Sequence, residues 1–169
     1  MDEARIAALE ARLALAEARL EIMALEAEYA RSWDAGDAEG WAGVFTPDGV
    51  FEIAPVGGMA QIVATGSDEL AAFCRNIDGI YRGLHFPHLP HLTIEGDRAV
   101  GRVHFEWIGI NRATDAWSGR RDAAGYYDIA YQRIDGAWRM AHRLEKAVAG
   151  TIAEQFDVYL AARPTPRPA

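Results

Sequence analysis

IEGDRAVGRVHFEWIGI at residues 94–110 and YYDIAYQRIDGAWRMAHRLEKAV at residues 126–148 are the stretches that decide the fold. The first contains a tight turn at residues 95–98, and the second contains an Asp-Gly turn at residues 135–136. Aromatic and β-branched residues flank both turns, a pattern that predicts β-hairpins. The two hairpins together predict a meander of antiparallel strands.

The predicted strands are long for a protein of this size. They cover residues 84–95, 99–111, 120–134 and 137–149. Strands of a dozen residues or more must twist and coil. Gly101, Gly109 and Gly125 lie inside them, where glycine favours a bulge or a bend. We therefore expect a curved sheet whose concave face encloses a small-molecule pocket.

A long helix is predicted before the sheet. Residues 3–33 contain no Gly or Pro and are rich in Ala, Leu, Glu and Arg, which are strong helix formers. Apolar residues from Ile6 to Ala30 recur at steps of three and four. One small core does not need a helix of this length, so residues 1–17 are predicted to be a helical extension. This extension either contacts a neighbouring subunit or extends into solvent.

Shorter elements complete the prediction. They are a helix over 38–45 capped by Asp37, a turn at 46–49, a strand from Val50, a partner strand at Ile62-Val63, and a helix from its cap Ser67 to about Tyr81. Residues 151–161 are either a helical turn or a docking strand. The Pro-rich residues 163–169 are predicted to be a disordered tail. Residues 1–162 are therefore expected to form one domain.

Composition excludes several classes of partner. The net charge of −8 over 169 residues argues against binding to nucleic acid or to an anionic membrane. The single cysteine, Cys74, excludes an intrachain disulfide and fits a reducing compartment. No apolar run approaches the ~18 residues of a membrane span, and the acidic N-terminus does not read as a signal peptide. We therefore predict a cytoplasmic protein.

Five short motifs occur in a characteristic order. They are Tyr29–Asp37, Trp41–Gly49, His85–His88, Ile94–Ala99 and Ile134–Arg139. As an ordered set they resemble the SnoaL-like branch of the nuclear transport factor 2-like superfamily, over roughly residues 18–150. The resemblance implies an α+β fold in which a strongly curved antiparallel sheet wraps around the N-terminal helices as a cone, a cystatin-like α+β barrel with a pocket inside.

Within this branch, the chain most resembles the dehydratases and dehydrochlorinases that act on scytalone, bile acids and hexachlorocyclohexane. The resemblance implies a pocket Asp at the end of the first helix and a pocket His on the first long strand, which here are Asp34 and His85. Tyr29 and Arg143 match a Tyr and an Arg of these relatives.

The chain also departs from these relatives on the second long strand. Trp107 stands where the bile-acid enzyme has an Asp, with Glu106 one residue away. His104 is one residue out of register with a pocket His of scytalone dehydratase. A one-residue slip moves a strand side chain to the other face of the sheet. All three residues are nevertheless kept as pocket candidates.

The predicted chemistry is an elimination. A histidine such as His85 can take a proton next to an activating group, and a carboxylate such as Asp34 can fix its tautomer and stabilise the imidazolium. Tyr29 can donate its phenolic hydrogen to the leaving oxygen, and neither a metal nor an organic cofactor is needed. From the residues alone, Asp34 could instead simply end its helix, and His85 and Tyr29 could be ordinary core residues.

The remaining candidates belong to the wall of the pocket. Trp33, Phe51 and His88 are predicted to line it. His85, His88 and His91 also suggest a metal site, but strand alternation places His88 on the opposite face. No Cys or carboxylate lies nearby at ligand spacing. We therefore predict no metal.

Three functions are compatible with this set of residues. The leading hypothesis is a cofactor-independent lyase that acts on a small hydrophobic cyclic or polycyclic substrate. A SnoaL-like isomerase or cyclase could use the same base, and a binding module could hold a ligand without turnover. The product of a lyase is lighter than its substrate, whereas the product of an isomerase is not. Self-association as a trimer or dimer is also expected.

Overall fold

The computed structural model describes residues 2–113 and 120–151, which form three helices and seven strands. Their bounds are α1 Glu3–Asp34, α2 Ala38–Gly43, β1 Phe45–Ile53, β2 Ile62–Thr65, α3 Gly66–Asp78, β3 Tyr81–Pro87, β4 His91–Glu95, β5 Arg98–Asn111, β6 Arg120–Ile134 and β7 Ala137–Gly150. The predicted segments 152–161 and 163–169 lie outside the described residues.

The strands form one curved, open sheet in the order β2-β1-β7-β6-β5-β3, with β4 paired to β5 beyond the end of β3. The helices pack against its concave face, and the predicted α+β fold class is confirmed. Long hairpins β5–β6 and β6–β7 pair antiparallel along most of their length. The β1–β7 pair is parallel, so the sheet is not antiparallel throughout.

Two local predictions are wrong, one for the turn at residues 46–49 and one for the start of α3. Residues 46–49 are not a separate turn, because β1 already begins at Phe45, which pairs with Met140. The register then shifts before Val50 pairs with His142, so the predicted turn is an irregularity inside the strand. Helix α3 is also earlier than predicted, with Thr65 rather than Ser67 at its N-cap position.

The predicted first long strand is divided into β3 and β4. Pro87 pairs with Phe105 and His91 pairs with Arg102, so three residues of this chain segment stand opposite two residues of β5. Pro90 lies in the interruption, and a proline cannot donate a hydrogen bond to a strand ladder. The break changes which way the histidines on either side of it face.

The first half of α1 lies away from the body of the protein. Its buried residues begin at Ala18, whereas Leu9 and Leu13 are 47% and 58% exposed. The first half of α1 is therefore a helix whose apolar residues are uncovered in the single chain. No helix in the described part of the chain is both long enough and apolar enough to cross a membrane.

Gly125 is expected to be essential for the curvature of the sheet. A Cβ atom there would overlap the carbonyl oxygen of Lys146 and lie 2.9 Å from Cα of Ala147, at a register shift between β6 and β7. Gly125→Ala should therefore lower the free energy of unfolding by about 1–3 kcal/mol, the usual cost of overpacking, as measured by urea denaturation. Gly43→Ala is the matched control, because nothing lies within 4 Å of a Cβ there. Equal stability of the two variants would contradict this account.

Candidate active site

A cavity of about 50 Å³ lies between the helices and the concave face of the sheet. Its wall is mostly aromatic and aliphatic, and it contains no Lys or Arg. The lining residues are Tyr29, Trp33, Phe51, Ile53, Phe73, Ile77, Tyr81, His85, Phe105, Trp107, Ala123, Tyr127 and Glu145. An apolar cavity with a few convergent polar groups is the usual form of a small-molecule site.

His85 lines this cavity and contacts Asp34, which is not itself a lining residue, although the two are 51 residues apart in the chain. Asp34 is the last residue of α1, and His85 lies on β3. The Nδ1 atom of His85 is 2.7 Å from Oδ1 of Asp34. The backbone N–H of His85 also donates to both carboxylate oxygens, at 3.0 and 3.2 Å. The carboxylate therefore fixes both the ring and the main chain of His85.

This pairing determines which ring nitrogen is free for chemistry. A carboxylate accepts hydrogen bonds, so Asp34 holds the His85 tautomer that carries its hydrogen on Nδ1. Nε2 then has an available lone pair. The two side chains are only 16% and 8% exposed, so the pair is shielded from bulk solvent.

Two aromatic rings fix the plane of the His85 imidazole. Tyr29 and Trp33 contact it edge to face, with ring centroids 6.1 and 6.0 Å away and interplanar angles of 78° and 88°. Both residues are on α1, and both line the cavity. Tyr29 is almost completely buried, and burial raises the pKa of its hydroxyl, which therefore stays protonated.

Arg143 does not line the cavity, contrary to the prediction. It lies behind the wall, with its guanidinium 3.8 Å from the ring centroids of both Tyr29 and Tyr127. Its Nη1 donates to both carboxylate oxygens of Glu26 at 2.9 Å. The hydroxyl of Tyr131 donates to the same carboxylate at 2.7 Å. Arg143 thus belongs to a buried ion pair that supports the aromatic wall.

The side chains of β5 alternate regularly between the inner and the outer face of the sheet. Phe105 and Trp107 point inward and line the cavity. His104 and Glu106 are exposed on the outer face, so their prediction as pocket residues is wrong. Each is one position out of register with the inward-facing residues, and β5 has no bulge there that would change the alternation.

His88 is also outside the cavity, contrary to the prediction. It follows the end of β3, and its Nε2 lies 4.0 Å from a carboxylate oxygen of Glu106 on the outer surface. His91 is exposed on the outer face as well. His85 faces inward, so the three histidines do not converge. Within residues 2–113 and 120–151, no group of three or more His, Cys, Asp or Glu side chains could hold a metal ion.

Glu145 is a cavity residue that sequence reasoning missed. Trp138 and Met140 are buried on β7, and continued alternation would bring His142 and Leu144 inward. A register shift on β7 inserts Ala141, because Tyr131 pairs with Met140 while Ala130 pairs with His142. The bulge turns the odd-numbered residues after it toward the cavity.

The Glu145 carboxyl is in an unusual environment. Its side chain is buried in the apolar wall of the cavity. Burial raises its pKa to about 7, and the nearby positive charge of Arg143 offsets only part of that effect. The cavity therefore holds, beside His85, a carboxylic acid that can exchange its proton near neutral pH.

Comparison with known proteins agrees with this architecture. Residues 14–144 match the SnoaL-like domain, so the chain belongs to the SnoaL-like family. No curated protein matches the sequence.

Solved structures extend the likeness. A protein of unknown function from Mycobacterium tuberculosis is 28% identical, with a TM-score of 0.67 over 80% of this chain and 74% of that chain. An NTF2-like protein with a cystatin-like fold from Novosphingobium aromaticivorans is 26% identical, with a TM-score of 0.65 over 86% of this chain and 91% of that one. A hexachlorocyclohexane dehydrochlorinase is 17% identical, with a TM-score of 0.70 over 83% and 91% of the two chains. At that identity the last likeness concerns the fold alone.

Proposed function

We propose that this protein is a cofactor-independent lyase that eliminates water from a small hydrophobic cyclic substrate inside the cavity. The observation that carries the proposal is the 2.7 Å contact between Asp34 and Nδ1 of His85 at the wall of an apolar cavity. A shielded carboxylate–imidazole pair beside a small-molecule site is suited to removing a proton from carbon.

His85 is the base in this proposal. Its Nε2 takes the proton next to an activating group of the substrate, such as a carbonyl. Asp34 stabilises the imidazolium that forms and keeps the ring in place during the transfer. Because the ring is already held by Asp34, Tyr29 and Trp33, little reorganisation is needed when the substrate arrives.

Tyr29 is proposed to hydrogen-bond to the oxygen that leaves or to the activating oxygen. Tyr29 lines the cavity, and its buried hydroxyl stays protonated because burial raises its pKa. A hydroxyl that keeps its hydrogen can stabilise developing negative charge without being consumed.

The wall of the cavity favours a neutral, apolar substrate. Trp33, Phe51, Phe105 and Trp107 are among its lining residues, and neither Lys nor Arg lines the cavity to bind an anion. The hexachlorocyclohexane dehydrochlorinase of similar fold also carries out an elimination from a small ring compound, which supports this reaction class.

Turnover of a panel of small cyclic β-hydroxy ketones, followed by mass spectrometry, tests the proposal. The expected product is lighter by one water. His85→Gln should lower kcat by about 10²–10⁴-fold, since it removes the base. His104→Gln, on the outer face of the same sheet, is the matched control and should retain full activity. A product of unchanged mass would indicate an isomerase, and a ligand retained without change would indicate a binding module.

A further inference from the structure

Glu145 shares the cavity with His85 but has no role in the elimination described so far. It comes from β7, whereas His85 comes from β3. Only 8% of its surface is exposed, and none of the described residues donates a hydrogen bond to its carboxyl group. A buried polar group without a partner costs free energy, so such a group in a cavity points to a ligand that completes it.

Glu145 forms no ion pair with any of the described residues, and the charge of Arg143 offsets only part of the effect of its burial. The ionisable groups coupled to it are Arg143 from its own strand, Tyr29 from α1 and Tyr127 from β6, and His85 from β3 lines the same cavity. Arg143 already donates to both oxygens of Glu26, so its charge is balanced. An ionised Glu145 would therefore add an unbalanced negative charge to an apolar cavity.

We propose that Glu145 is the catalytic acid of this cavity, and that it protonates the departing oxygen of a hydroxyl leaving group. The inference rests on the proposed dehydration and adds the group that protonates its leaving oxygen. Glu145 and His85 divide the two proton transfers between them, one at the leaving oxygen and one at carbon.

The step balances with these groups alone. Nε2 of His85 takes the proton from carbon, and the electron pair of that C–H bond forms the new C=C bond. The C–O bond breaks, and its oxygen takes the proton of Glu145 and leaves as water. The imidazolium of His85 then returns a proton to the Glu145 carboxylate through solvent, which restores both groups.

Tyr29 cannot replace Glu145 in this step. Burial raises the pKa of Tyr29 above its ordinary value, so the phenol can hydrogen-bond to the oxygen but gives up its proton reluctantly. The pKa of Glu145 is raised only to about 7, which suits full proton transfer at neutral pH. The two groups are thus different kinds of donor to one oxygen.

Substrates with different leaving groups distinguish a catalytic role of Glu145 from a structural one. A hydroxyl needs a proton in order to leave, whereas a chloride does not. We therefore expect Glu145→Gln to lower kcat/KM for 3-hydroxycyclohexanone by about 10²-fold or more. The kcat/KM of the same variant for 3-chlorocyclohexanone should stay within about threefold of the wild-type value, because the base and the cavity are unchanged. His85→Gln should lose activity on both compounds.

The possible failures are distinguishable. If Glu145→Gln loses activity equally on both compounds, Glu145 is structural and the inference is overturned. The inference also fails if the variant turns over the hydroxy ketone at the wild-type rate, although the lyase proposal then survives. If wild type turns over the chloro compound alone, dehydration is excluded. If wild type turns over neither compound, both the proposed function and this inference fail.

Thermal unfolding supplies a readout that is independent of turnover. The pKa of folded Glu145 lies near 7 rather than at its ordinary value of 4.5, so the native state keeps a proton that the unfolded state loses between these values. Its contribution to stability is complete below pH 4.5 and is lost as the pH rises through 7. Glu145→Gln should therefore gain in Tm relative to wild type between pH 5 and pH 8. If the difference in Tm between Glu145→Gln and wild type is the same at pH 5 and pH 8, the assignment of Glu145 as a neutral acid is overturned.

Discussion

Asp34→Asn is expected to lower kcat by about 10²–10⁴-fold while the protein stays folded. The amide oxygen of the new side chain can still accept the backbone N–H of His85, so the end of α1 stays in contact with β3. The amide NH₂ group, however, must face Nδ1 and donate to it. His85 then carries its hydrogen on Nε2, where it cannot act as a base.

The tautomer itself can be measured. Nitrogen NMR of the His85 ring should show the hydrogen on Nδ1 in wild type and on Nε2 in Asp34→Asn, with little change in melting temperature. Asp97→Asn, in the exposed turn between β4 and β5, is the matched control and should alter neither activity nor tautomer. Full activity in Asp34→Asn together with an inverted tautomer would remove His85 as the base.

The sheet could be predicted well from sequence because local chemistry specifies its hairpins. Asp135 and Gly136 both adopt positive φ angles, 50° and 80°, which the β6–β7 turn requires. The long alternating runs on either side leave few other pairings. Helix α1 was predictable for a similar reason, since nothing in residues 3–33 interrupts it.

Features that depend on distant pairing were not accessible in the same way. The contact between Asp34 and His85 spans 51 residues, and only the family resemblance indicated it. The inward face of β7 depends on one extra residue, Ala141, which has no sequence signal of its own. Glu145 was missed because the charged run around it reads as an exposed strand.

The two buried carboxyl groups, Glu26 and Glu145, have different surroundings because of the position of Arg143. Glu26 accepts two hydrogen bonds from the guanidinium and one from Tyr131, and it forms a buried ion pair with Arg143. Glu145 is on the same strand as Arg143 but receives none of these bonds. One acid therefore balances the buried cation, and the other remains available as a proton donor.

Glu26→Gln is expected to lower the free energy of unfolding by about 3–5 kcal/mol, the usual cost of removing one partner from a buried ion pair. Arg143 is completely buried and would keep its charge without a counterion. The charge of Arg143 already acts on Glu145, so the unpaired guanidinium should lower the pKa of Glu145 further and favour its ionised form. The variant should therefore lose activity on a hydroxy substrate as well as stability.

The surface pair Glu28–Arg31 provides the matched control, because it is the same type of substitution on the same helix. Glu28→Gln should leave urea denaturation and activity nearly unchanged, since an exposed ion pair contributes little. Combining Glu26→Gln with Arg143→Met removes both buried charges, and it should recover much of the lost stability. If Glu26→Gln unfolds at the same urea concentration as wild type, Arg143 does not need Glu26 as its counterion. The contrast between Glu26, which is paired with Arg143, and Glu145, which is not, is then contradicted.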